Sequence, residues 1–123
     1  MNANANTSWP DYALLVESGP AIQWSARPDG SVDYVNRFGL EYLGRTLADV
    51  TNWDWVAIVH PEDLPNVGEK WSASLETGAP YEIEMRFLRA KDKAWRPHRG
   101  RAIALRDASG KIVHWVGSHI ELA

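Results

Sequence analysis

Apolar and polar side chains alternate most cleanly over residues 81–88, where Tyr81, Ile83, Met85 and Phe87 are interleaved with Glu82, Glu84 and Arg86. A period of two puts the four apolar residues on one side of a strand, which predicts a strand with one buried face. Lys91-Asp92-Lys93 turns the chain, residues 95–106 read as a second strand, and after Asp107-Ala108-Ser109-Gly110 residues 111–122 read as a third. Pro97 offers no backbone N–H to a ladder, which predicts an edge or a bulge there. Nearer the start, Ala21-Ile22-Gln23-Trp24-Ser25 alternates, and residues 31–36 are β-branched and aromatic. Between them stands Pro28-Asp29-Gly30, in which Pro presets φ, Asp bonds nearby backbone and Gly accepts positive φ. The stretch predicts a hairpin.

The middle of the chain changes period. Phe38 and Tyr42 stand four apart, and Gly44 falls where a helix ends in a left-handed residue. Thr46 and Asp49 have capping-box spacing, so a second short helix starts there. After the connector Trp53-Asp54-Trp55, His60-Pro61-Glu62-Asp63 reads as a helix entry, with Asp63 a candidate N-cap. Val67, Trp71 and Leu75 share one helical face, and Thr77-Gly78 closes the element. Two strands, short helices, one longer helix and a three-strand meander predict an α+β fold. Its five-stranded antiparallel sheet would carry the helices on one face around a single core.

Composition narrows the function. A chain of 123 residues can bury one core unaided, so residues 1–11 read as a flexible leader or N-terminal cap and residues 12–123 as one domain. Residues 1–8 lack the basic and apolar segments of a secretory signal, and no apolar run reaches the ~20 residues of a membrane span. The expectation is a cytoplasmic domain without membrane insertion. Thirteen Lys and Arg against sixteen Asp and Glu leave no basic footprint for nucleic acid. The absence of cysteine removes disulfides, thiolate metal sites, thiol nucleophiles and any cysteinyl chromophore adduct. Seven Trp against two Phe suggest that indoles fill core positions.

The Asp29-Gly30 turn running into Tyr34-Val35-Asn36 is followed by Leu40-Glu41-Tyr42-Leu43-Gly44 and His60-Pro61-Glu62-Asp63. Then come Trp71 with Thr77-Gly78, the residue 81–87 strand, Leu105-Arg106-Asp107-Ala108-Ser109-Gly110-Lys111-Ile112-Val113 and Trp115-Val116-Gly117. In this order and spacing the series resembles the PAS domain family, closest to its bacterial sensor-kinase branch, over residues 12–122. Lys93 departs from the pattern by standing where the second turn usually has glycine, and Pro97 departs near a usually aromatic position.

The resemblance implies a sensory module with no catalytic residues. A pocket between sheet and helices would bind a small molecule, two copies would form a homodimer, and the C-terminal strand would lead to an output domain such as a histidine kinase. The ligand-pocket candidates are Trp24, Tyr34, Asn36, Phe38, Tyr42, Trp53, Trp55, Ile58, Trp71, Leu75, Ile83, Met85, Phe87, His98 and Ile103. No cofactor is expected. Flavin held without an adduct would stack on Trp24, Trp53, Trp55 or Trp71. Haem would take His98 first, since residues 63–77 contain no His. No His or carboxylate pair has metal-site spacing. The alternatives are a ligand-free dimerisation module and a small α+β isomerase-like enzyme built on a pocket His. Trp115 on an outer sheet face would mark a partner surface. Arg96, Arg99, Arg101 and Arg106 are expected to pair across strands with Glu82 and Glu84.

Overall fold

The computed structural model describes residues 21–123; the expected leader, residues 1–11 with Trp9, lies outside them. β1 (Ile22–Ala26) and β2 (Val32–Val35) form the antiparallel hairpin, with Trp24 opposite Val35. Its turn depends on Gly30, at φ 96°, and on Asp29, which accepts the Ser31 N–H at 2.9 Å. α1 (Arg37–Leu43) ends at Gly44, φ 65°, and α2 (Leu47–Val50) starts at Thr46, whose N–H donates to Asp49. Two 3-10 turns, Asp54–Ile58 and Pro61–Asp63, lead into α3 (Leu64–Thr77), which Gly78 terminates. β3 (Tyr81–Arg89), β4 (Ala94–Arg106) and β5 (Ile112–Glu121) complete an antiparallel sheet of order β2-β1-β5-β4-β3. This is the five-stranded α+β architecture that the hydrophobic pattern predicts. Among the described residues no helix is long and apolar enough to cross a membrane.

Three local expectations are corrected or refined. Pro97 makes no edge or bulge: β4 runs straight through it, paired with Arg86. Arg86 turns both backbone groups away from β4, its N–H to Asp63 and its carbonyl to the His60 N–H, so no β3–β4 bond is lost. The bulge lies instead between Leu105 and Arg106. Lys93 takes the left-handed conformation that favours glycine, with φ 57°. Asp63 occupies the N-cap position of α3, as expected, but its side chain makes no capping bond. Its carboxylate accepts the Arg86 backbone N–H at 2.8 Å and the guanidinium at 3.0 and 2.9 Å, closing the free edge of β3. Trp115 is fully buried and meets Trp71 edge-on at 5.1 Å, so it presents no partner surface.

Two of the four arginines expected to pair with Glu82 and Glu84 do so, while Arg96 turns to Glu121 and Arg106 to the Gly110 carbonyl. Arg101 reaches Glu82 at 3.1 Å and Arg99 reaches Glu84 at 3.0 Å, each directly across from its partner. Both pairs are exposed and contribute little to stability.

Candidate functional site

Residues 52–60 cross the concave face of the sheet from one edge to the other. At one end Asn52 pairs with Val32 of β2, its carbonyl accepting the Val32 N–H at 2.9 Å. At the other, Val59 bridges to Phe87 of β3 and the His60 N–H donates to Arg86. The strap therefore satisfies backbone groups on both open edges at once. His60 secures its far end, accepting the Glu62 N–H on Nδ1 and packing against Trp95 at 4.7 Å.

Beneath the strap lies a cavity of about 60 Å³. Ile22 and Trp24 of β1, with Val32 and Val35 of β2, form one side. Trp55, Ile58 and Val59 of the strap roof it, flanked by Leu43 and Val50 from the short helices. Val67 and Trp71 of α3, Tyr81, Met85 and Phe87 of β3, and His119 of β5 complete the wall. No charged side chain occurs among these residues. The sequence-expected candidates Trp24, Trp55, Ile58, Trp71, Met85 and Phe87 thus converge on one space.

The remaining candidates lie elsewhere. Phe38, Trp53 and Ile103 are 45%, 47% and 53% exposed and do not line the cavity. Asn36 is spent on structure: its Oδ1 accepts the Gly39 and Gln23 N–H groups and its Nδ2 donates to the Ala21 carbonyl. Tyr34 is half-buried in β2, and Leu75 packs over Gly30, where a Cβ would come within 2.5 Å of it. Ile83 is buried in the core but outside the cavity wall. Tyr42 and His98 form a separate polar cluster. His119, the one imidazole in the wall, was not among the candidates, because β5 lacks the alternation that would have assigned its face.

Hydrogen bonding fixes the tautomers of both buried histidines. Tyr42 donates its hydroxyl proton to Glu121, so His98 Nε2, 2.9 Å from that oxygen, must be the donor to it. His98 Nδ1 is then bare, buried and, among the described residues, without a partner. Burial pushes the His98 pKa down to about 4. His119 Nδ1 accepts the Trp24 indole N–H at 3.1 Å, which leaves its proton on Nε2. Burial, with a smaller push from His98, drives His119 down to about 3. Phe87 lies against both rings, 5.1 Å from His98 and 4.7 Å from His119. Glu121 is held ionised by the Tyr42 hydroxyl and by Arg89 and Arg96, and burial and Glu121 together push the Tyr42 pKa up.

Ligand pockets of drug size enclose about 300–1,000 Å³, and the space under the strap is smaller. His98, the expected haem ligand, commits Nε2 to Tyr42 and stands outside the cavity wall. Among the described residues no group of three His, Asp or Glu side chains could hold a metal ion.

Comparison with known proteins agrees with the geometry. The family model for the PAS fold matches residues 32–119. The chain is 33% identical over 107 residues to the uncharacterized protein y4lL of Sinorhizobium fredii, and 32% identical over 111 residues to the peroxide stress-activated histidine kinase mak1 of Schizosaccharomyces pombe. Those matches cover 87% and 89% of the chain but only 13% and 7% of the two relatives. Among solved structures, a light-oxygen-voltage domain studied with a flavin analogue superposes with a TM-score of 0.73 at 23% identity, covering 98% of this chain and 89% of that one. A sensory box histidine kinase/response regulator from Burkholderia thailandensis gives 0.62 at 22%, covering 90% and 83%. At such identities the structural likeness is one of fold.

Proposed function

The chain belongs to the PAS fold family, and from that premise we propose that it is the sensory module of a larger signalling protein. It binds a small molecule under the strap and passes the change to an output domain, such as a histidine kinase, through β5. The observation that carries this reading is the dual role of β5. It supplies His119 to the cavity wall and, two residues on, Glu121 to the Tyr42 hydroxyl of α1. A ligand that displaces His119 acts directly on the strand whose end is tied to the helical layer. Such a ligand shifts an equilibrium only by its differential affinity for the two arrangements. The cavity binds and does not transform: its wall offers no carboxylate, and its single imidazole is committed to Trp24.

Xenon tests the reading, since dry apolar cavities take it up. Hydrogen exchange of the β5 amides, measured with and without dissolved xenon, should change at His119 and Glu121. Exchange that stays the same along β5 while xenon occupies the cavity would defeat it, as would failure of xenon to enter.

A second reading, a ligand-free dimerisation module, is favoured by an apolar strip on the outer sheet face. Ile103 lies opposite half-buried Val116, and Ile103 and Ile120 are 53% and 61% exposed. Sedimentation of the wild type against Ile103→Glu separates it: a dimer lost in the variant supports it, and a wild-type monomer ends it.

A further inference from the structure

We infer that the cavity selects a small, neutral molecule bearing a hydrogen-bond acceptor of the carbonyl kind, and that the Trp55 indole N–H is the donor that reads it. The inference rests on the binding reading above and gives it a ligand class. Size comes first. An apolar cavity of about 150 Å³ holds benzene, and this one has about 60 Å³, so its occupant is smaller than benzene. Charge comes second. The wall carries no charged side chain, and an ion would lose its hydration with nothing to replace it.

Polarity then follows from counting indole protons. Three tryptophans line the cavity. Trp24 gives its N–H to His119 Nδ1 at 3.1 Å, and Trp71 gives its N–H to the Gly30 carbonyl at 3.2 Å. The Trp55 Nε1 is buried and, among the described residues, has no acceptor. A buried donor left unpaired is costly, and native structures satisfy most of them. The Trp55 ring forms part of the cavity roof while its Nε1 is covered, so an acceptor entering the cavity completes it once the indole turns toward it. A ligand whose polar group only donates would gain nothing there.

The test uses acetone and its isostere isobutene, in which =CH₂ replaces =O. Seven tryptophans give seven indole cross-peaks in a ¹⁵N correlation spectrum, and the peak missing from Trp55→Phe identifies Trp55. Acetone should move the Trp55 indole proton downfield and isobutene should not. Trp55→Phe should weaken acetone about fivefold, as expected for one neutral hydrogen bond, and leave isobutene within about twofold. Acetone binding without a Trp55 shift, or equal weakening of both probes, would overturn the inference and leave the binding reading standing. Binding of neither probe to the wild type would overturn both. The wild-type shift decides the matter even where the variant fails to fold.

Discussion

Gly100→Ala is the sharpest probe of how the cavity wall is held. Gly100 lies in β4 opposite His119, and a Cβ there would fall 2.3 Å from His119 Nε2 and 2.5 Å from its Cδ2. The ring cannot step aside freely. Its Nδ1 holds the Trp24 indole N–H, and Phe87 packs against it with ring centres 4.7 Å apart. Admitting the methyl therefore means tilting His119 out of its place and breaking the bond to Trp24. Overpacking of this kind costs about 1–3 kcal/mol, and the buried hydrogen bond adds about 1 kcal/mol. With a urea m-value of about 1–3 kcal/mol/M, a loss of 2–4 kcal/mol lowers the midpoint by roughly 1–2 M. The same substitution in a His119→Ala background meets no ring, so its cost should nearly vanish, giving a coupling of about 2–4 kcal/mol. Gly68→Ala is the control: a Cβ there meets nothing within 4 Å, and inside α3 it should stabilise by about 1 kcal/mol. Equal costs for Gly100→Ala in both backgrounds would refute the argument.

Other outcomes follow from the same contacts. Both buried histidines are neutral in the fold, with pKa values pushed below 6.5 to about 4 and about 3. The unfolded chain therefore binds more protons, and stability, complete above about pH 6.5, falls as pH drops toward 4. Urea midpoints across that window should show this acid loss, and His98→Gln should shrink it. Below that range the depressed carboxylates of Asp63 and Glu121 add their own loss as they protonate. Lys93→Gly removes a left-handed penalty of about 1–2 kcal/mol, partly offset by glycine's unfolded freedom, so the melting temperature should rise. Asp63→Ala strips the Arg86 backbone N–H of its acceptor, leaves the guanidinium only Glu62, and should cost about 2 kcal/mol in denaturant unfolding.

Much of the architecture was legible because it rests on local rules. The strict alternation of Tyr81, Ile83, Met85 and Phe87 put one face of β3 inside, and all four are buried. Gly30, Gly44 and Gly78 marked three turns that require positive φ. The cavity was legible only in part, because its composition depends on register and on how the strap lies. Trp53 and Trp55 are two residues apart in one connector, yet a 3-10 turn sends Trp55 to the roof and leaves Trp53 47% exposed. Phe38 and Tyr42 share a helical spacing, but Phe38 opens the first turn of α1 and faces outward. In β5, Gly117 and Ser118 break up the apolar pattern, so the burial of Trp115 and His119 shows only once β1 and β4 flank the strand. Pro97 looked disruptive because the sequence does not reveal that Arg86 turns its backbone groups toward Asp63 and His60.

The central claim is an apolar space roofed by Trp55 and bounded by His119. A crystal structure determined under xenon pressure tests it most directly. The account predicts xenon seated between Trp24, Trp55, Phe87 and His119, with the strap still bridging Val32 and Phe87. A core filled by repacked side chains at that place, with xenon absent or bound elsewhere, would contradict it.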